Sequence, residues 1–293
     1  MFPKIACTIL AAAAIAAPSF AQQNWVKNGD FSSGLTGWTA SGGCDAPLVE
    51  SFDTTGLAAS SAFGVNPGYQ LNSTVRPPYV LTQNLVLPAG WFEIHLAVAM
   101  DAPGFNNDGG TISVWIGGVE RAKHNWGSVA ATMLTRSVLC ERFLLTTGGT
   151  QTFELRFDRP FAALRGRTPR SYVDDVSLQV APGPSFAIYG DRKPGNTVVL
   201  RIQGNTNVPV GIFLAPKTGP ALTLPGFAGT WTLDLATTLP FFAALTDTAG
   251  RFATSLTYPS NLTALQGVSL FFEAVDVSNA PAIGIAHDYG LQK

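Results

Sequence analysis

The chain has 293 residues, a formal net charge of −1 and only 13% charged side chains. So sparse and balanced a charge argues against nucleic acid, which calls for a basic face, and against electrostatic attachment to a membrane surface. Thirty glycines and twenty prolines, set among threonine, valine and phenylalanine, favour short strands joined by tight turns over a helical protein.

The first element in chain order is a leader. Lys4 supplies a positive start, residues 5–17 ("IACTILAAAAIAA") an apolar stretch, and "PSFA" the small residues Ser19 and Ala21 that a signal peptidase reads. Cleavage is expected after Ala21, so 1–21 is a signal peptide and the mature chain is secreted or extracytoplasmic. The apolar run is short for a membrane anchor, and no later stretch is long and apolar enough for a transmembrane segment. About 270 residues then remain, enough for two domains of ordinary size. Cys7 leaves with the leader. Cys44 and Cys140 remain, and two cysteines in an exported chain are most simply one disulfide, although sequence does not show that the sulfurs meet. In the chain-entropy picture so long a loop is worth up to about 4 kcal/mol. Structural zinc is not expected, because no paired Cys/His spacing is present.

Behind the leader, "NWVKNGDFSSGLTGW" (24–38) is polar and glycine-rich but carries Trp25, Phe31 and Trp38. Asn28-Gly29 makes a tight turn, Phe31 is a core anchor and Trp38 packs across the core. Period-two alternation then predicts strands with one buried face. "YVLTQNLVLP" (79–88) is one. In "WFEIHLAVAM" (91–100), Phe92, Ile94, Leu96 and Val98 oppose Trp91, Glu93 and His95. In "TISVWIG" (111–117), Ile112, Val114 and Ile116 oppose Trp115. In "TFELRFD" (152–158), Phe153, Leu155 and Phe157 oppose Glu154 and Arg156. "SYVDDVSLQV" (171–180) places Tyr172, Asp174, Val176 and Leu178 on one face, read as inward. Asp174 would then be a buried acid, which is costly without partners.

"APGPS" (181–185) marks a linker at 181–186. Strand patterns restart beyond it: "TVVLRIQG", "PVGIFLAP", "TWTLDLA", "RFATSLTYP" and "VSLFFEAVDV". Phe271 and Phe272 read as core. The expected organisation is a first domain over 22–180 and a smaller immunoglobulin-like β-sandwich over 187–293.

Two motifs give the first domain a family likeness. The opening "NGDFSSGLTGW" and the closing "SYVDDVSL", about 140 residues apart, resemble the ends of galactose-binding-like jelly rolls, specifically family 4/9-type carbohydrate-binding modules. The middle matches only in strand rhythm. The resemblance implies an all-β jelly roll that binds glycan or polysaccharide. It also implies a structural calcium held by Asp30, the Gly56 carbonyl and Asp174, with Glu50 a weaker candidate. The alternative is that Asp174 bonds backbone amides or caps the strand end. The second half, on "TDTAGRFATSLTYP" and "GVSLFFEAVDV", resembles an uncharacterised β-rich domain of exported bacterial proteins and implies no activity.

Sugar rings stack on aromatic side chains with polar groups beside them. If their strands share a sheet, Trp91, Glu93, His95, Trp115 and Arg156, with Glu154, form such a platform. Alternatively, the tryptophans pack under a loop or against a neighbouring domain. Trp126 is a second-rank candidate on a loop, and His124 a solvated neighbour. Arg165, Arg167 and Arg170 are a basic cluster suited to an acidic glycan or merely solvated. Asn106 to Gly110 has the chemistry of a turn, and Asn72 and Asn261 match the glycosylation acceptor pattern. Asp174 and Asp175 are no glycosidase pair, since adjacent strand residues face opposite ways while the reaction needs carboxyls about 5–10 Å apart across one cleft. No nucleophile elbow, P-loop, dinucleotide fingerprint or His-Glu-x-x-His occurs. The leading reading is a secreted, non-catalytic glycan-binding protein. The rivals are an exported structural or adhesive protein contacting protein or cell envelope, and a small hydrolase.

Overall fold

A computed structural model describes residues 23–68, 77–102, 104, 107–159 and 168–293. The leader, Asn72, Asn106, Arg165 and Arg167 lie outside the described residues.

The first unit contains β1 (Thr39–Ser41), β2 (Cys44–Phe52), β3 (Ser60–Pro67), β4 (Tyr79–Leu87), β5 (Gly90–Asp101), β6 (Asn107–Asp108), β7 (Thr111–Ile116), β8 (Val119–Asn125), β9 (Ser128–Val129), β10 (Leu134–Leu145), β11 (Gly149–Asp158) and β12 (Arg170–Val180). Two antiparallel five-stranded sheets, β1-β4-β11-β7-β8 and β10-β5-β12-β3-β2, face each other. Their inner residues follow from alternation. Leu81, Leu85, Ile112, Val114, Phe153, Leu155 and Phe157 meet Phe63, Phe92, Ile94, Leu96, Val98 and Leu178 in one buried cluster.

The opening segment closes this sandwich without being a strand. Asn28 and Phe31 take left-handed backbone angles, which are costly for side-chain-bearing residues and mark a packed turn. Phe31 is fully buried and stacks on Trp38, ring centroids 5.7 Å apart, while Trp38 meets Phe153 edge-on. The segment is bonded to β12 by Trp25 N–H to the Leu178 carbonyl (2.9 Å) and Val176 N–H to the Gly29 carbonyl (2.9 Å). Gly29 is needed for that approach, because a Cβ there would lie 2.0 Å from the Val176 oxygen.

The last strand departs from simple alternation. Its register against β5 shifts between Asp174 and Ser177, and Asp175 has a φ of 51°. This bulge puts two residues opposite one and resets the pleat. Val173, Val176 and Leu178 therefore point into the main core. Tyr172 packs on the other face with Ala62, Ala99 and Phe52. Asp174, two residues on, shares that outer face with Tyr172, so the expected inward face of Tyr172, Asp174, Val176 and Leu178 is corrected.

The second unit contains β13 (Ser185–Tyr189), β14 (Thr197–Gln203), β15 (Pro209–Ala215), β16 (Thr218–Leu222), β17 (Trp231–Leu233), β18 (Leu239–Leu245), β19 (Arg251–Thr257), a single 3-10 turn (Leu262–Leu265), β20 (Phe271–Asp276), β21 (Ala282–Ile283) and β22 (His287–Asp288). Sheet β13-β14-β19 faces sheet β18-β15-β20-β21, with β22 also paired to β20 and a small β16-β17 ribbon beside them. Phe186, Ile188, Val198, Leu200 and Ile202 meet Val210, Ile212, Phe272 and Ala274. Both units are thus all-β. The connection 181–185 is itself packed: Ala181, Gly183, Pro184 and Ser185 are buried, and a Cβ on Gly183 would meet the Ile283 carbonyl carbon at 2.2 Å.

The expected Cys44–Cys140 disulfide is absent. The two residues lie on β2 and β10, the opposite edges of one sheet, with three strands between them. Four strand spacings amount to about 19 Å, far beyond the roughly 7 Å that a disulfide allows between Cα atoms. Cys44 packs against the main core. Cys140 lies among the apolar side chains of the second unit.

Candidate functional site

The outer face of the β10-β5-β12-β3-β2 sheet is where the two units meet. Alternation turns Glu93 and His95 outward from β5, and Val138 and Cys140 outward from β10. Val138 and Cys140 join the apolar cluster of the second unit, with Ile188 and Tyr289. Glu93 is 1% exposed and bonds His287 of β22 at 2.5 Å. The His95 and His287 rings stack in parallel, centroids 3.9 Å apart.

Polar contacts reinforce the junction. Arg192 is buried and donates to the Thr55 carbonyl (3.1 Å) and the Gly290 carbonyl (3.2 Å). Gln292 donates to the same Thr55 carbonyl, and Lys293 N–H to that of Gly56. Asp191 accepts from Arg136 N–H, and Gln203 from Arg142 N–H.

Beside this junction lies a cavity of about 750 Å³. Its floor is the outer face of β5 and β12, with His95, Ala97, Ser177 and Gln179. Its walls are the opening segment (Asn24, Asn28, Asp30), the stretch 55–60, and Arg192, His287 and Asp288 of the second unit. The lining is mixed: amides and hydroxyls alternate with alanines, three carboxylates and an arginine. Two buried nitrogens on lining residues, Nε2 of His95 and Nη1 of Arg192, have no hydrogen-bond partner. Buried polar nitrogens of this kind are costly unless something satisfies them. Burial, with the charges of His287 and Arg192 adding to it, holds His95 well below its ordinary pKa, so its ring is neutral. Burial, with Asp30 adding to it, raises the Asp175 carboxyl.

The sequence-predicted platform is divided by the sandwich. Trp91, Glu93 and His95 belong to β5, whereas Trp115 and Arg156 belong to β7 and β11 of the opposite sheet. The strands share no sheet, so the two groups occupy opposite outer faces. Both tryptophans are also capped from within the chain. Arg142 lies 4.0 Å over Trp91, and Arg156 lies 3.9 Å over Trp115 while held by Glu154 at 2.7 Å. Trp126 packs partly against the core, and His124, at the end of β8, meets it edge-on. Burial lowers the His124 pKa to about 4, so it is no solvated loop histidine. Arg170 bonds Glu50 at 2.7 Å and lies over Tyr172. It serves a local network that also holds Asn66.

The proposed calcium ligands find partners within the chain. Asp174 accepts from the Ser60 hydroxyl and from Asp175 N–H. Burial raises its pKa to about 7 against the opposing pull of those bonds. Asp30 is exposed and accepts from Ser32. The Gly56 carbonyl is taken by Lys293. Among the described residues, Asp30, Asp174 and Asp175 do not converge as a trio within 4.8 Å. The hydrogen-bonded alternative describes Asp174.

A different group does converge. Among the described residues, the carboxylate of Glu93, the thiol of Cys140 and the imidazole of His287 bring candidate ligand atoms within 4.8 Å of one another. Sequence spacing gave no sign of it, because its members come from β5, β10 and β22.

No protein-family model matches the sequence, and no curated protein matches it. Solved structures do. The chain is similar to TmCBM61, seen in complex with β-1,4-galactotriose, at 18% identity over 53% of this chain and 97% of that one, with a TM-score of 0.35. It is similar to a protein from Bacteroides thetaiotaomicron described as sugar-binding, at 12% identity over 54% and 100%, TM-score 0.35. The tandem CBM22-1–CBM22-2 domain of Paenibacillus barcinonensis Xyn10C matches at 12% identity over 88% and 91%, TM-score 0.34. At these identities and scores the likeness carries nothing about the ligand of this chain.

Proposed function

We propose that this chain is an exported, non-catalytic binding protein that takes a glycan in the cavity between its two units. The supporting observation is that cavity. It is large enough for one or two sugar rings, and amide, hydroxyl and carboxylate side chains line it beside His95 and Arg192. Sites of this type bury most of a ligand against a few fixed polar groups. A hydroxyl-rich ligand can both donate to the carboxylates and accept from the amides of this lining. The tryptophans expected to stack on sugar are not part of the reading, since arginines already cover them.

Retention on a broad panel of soluble and insoluble polysaccharides tests it. Ser177→Trp, which plugs the cavity floor, is expected to weaken binding by more than about tenfold, while Trp115→Ala on the opposite face leaves it unchanged. A wild-type protein retained by no glycan, or a plugged variant that binds as well, overturns the reading. Export is checked by N-terminal sequencing of extracytoplasmic material, expected to start at Gln22.

One observation favours a second reading, an exported structural or adhesive protein. The second unit covers much of the face that carries Glu93 and His95, as expected where the sheet serves assembly. Glycan binding lost on plugging the cavity decides against it.

A further inference from the structure

Glu93, Cys140 and His287 form a group that neither the glycan reading nor the packing explains. All three are buried or nearly so. Glu93 spends one carboxylate oxygen on His287, and the other, Oε2, is buried without a partner. The Cys140 thiol is in no disulfide. His95, stacked on His287, adds a buried nitrogen without a partner. A carboxylate taken this far from water with half its acceptors unused is costly, and an apolar pair of similar volume would pack as well.

We propose that Glu93, Cys140 and His287 bind a zinc-like divalent cation that joins the two units. A thiolate, an imidazole and a carboxylate make a donor set of borderline softness, which suits Zn²⁺ and not Ca²⁺ or Mg²⁺. Zinc bonds of about 2.0–2.3 Å place tetrahedral ligands roughly 3.3–3.8 Å apart. The present separations of up to 4.8 Å need only side-chain adjustment. On binding, the Cys140 thiol gives up its proton to solvent, the proton shared in the Glu93–His287 hydrogen bond leaves as well, to solvent or to the far nitrogen of the His287 ring, and the freed carboxylate oxygen and imidazole nitrogen turn to the metal. Two ligands come from the first unit and one from the second, so the cation acts as a cross-link where the expected disulfide does not.

Cobalt is the probe, because a thiolate bound to Co²⁺ gives a near-ultraviolet charge-transfer band. Full-length protein, prepared metal-free under reducing conditions, is expected to bind one equivalent of Co²⁺ with that band and to release it to Zn²⁺. A hundredfold excess of Zn²⁺ over Kd raises Tm by about 5–10 °C, and Ca²⁺ does not. Cys140→Ser loses the band, and His287→Asn binds at least about 100-fold more weakly. If either variant fails to fold, the band, stoichiometry and Zn²⁺-dependent Tm of the wild type still decide. A wild type that binds neither metal, a Co²⁺ complex without the thiolate band, or a folded Cys140→Ser that keeps full affinity overturns the proposal. Glycan retention is read separately, so failure of one reading is distinct from failure of the other.

Discussion

The two outer faces of the first sandwich started from the same pattern and ended differently. On β7 and β11, Trp115, Glu154 and Arg156 remain at the surface, where the arginine stacks on the indole and pairs with the glutamate. On β5, Glu93 and His95 have the same period and polarity, yet the second unit seals Glu93 at 1% exposure. A strand pattern tells which residues leave the core. It does not tell what they meet outside it. The energetic scale of the two faces differs accordingly, since a buried hydrogen-bonded pair is sensitive to loss of one partner and a surface pair is not.

The largest expected effect breaks the sealed face. Glu93→Ala removes the partner of His287 and leaves a buried gap, at a cost of about 3–5 kcal/mol in urea unfolding. A cost below about 1 kcal/mol would mean that the junction is not the stable arrangement.

Next comes pH. Glu273, fully buried on β20, accepts from the backbone and hydroxyl of Thr232, and burial still raises its pKa from 4.5 to about 7. The folded state therefore holds a proton that the unfolded chain has lost above its ordinary value. The stabilisation is full below pH 4.5 and is lost as pH rises through about 7. Glu273→Gln is expected to remove roughly 2 kcal/mol of that slope between pH 5 and 8. An unchanged slope would show that Glu273 ionises in the fold.

Smaller still is Trp91→Ala, at the margin of the junction. Trp91 is 40% exposed beneath Arg142, and the loss is expected near 1 kcal/mol. Arg156→Ala on the open face is expected to cost less than about 1 kcal/mol, with the difference from wild type shrinking in high salt. Equal losses for Glu93→Ala and Arg156→Ala would erase the distinction between the faces.

Much of the fold was legible in the chain. The strands around Phe92, Val114 and Phe153 follow from period-two patterning, and Phe31 reached the core as expected. The last strand was misread because one left-handed residue, Asp175, resets the alternation. The site was less legible. Trp91 and Trp115 share a pattern but not a sheet, and Cys44 and Cys140 share a sheet but stand at its two edges. The group at Glu93, Cys140 and His287 gave no local signal, since nearly 200 residues separate its ends.

By itself the sequence determined that the chain is all-β, where most strands lie and which of their faces is apolar. These follow from local propensity and from burial along one strand, which neighbours in sequence decide. Only the tertiary structure decided which polar faces are open, that Cys44 and Cys140 stand apart, and that a polar cavity lies between the units. Those depend on strand order and on the docking of one unit on another, where residues far apart in sequence set each other's solvation.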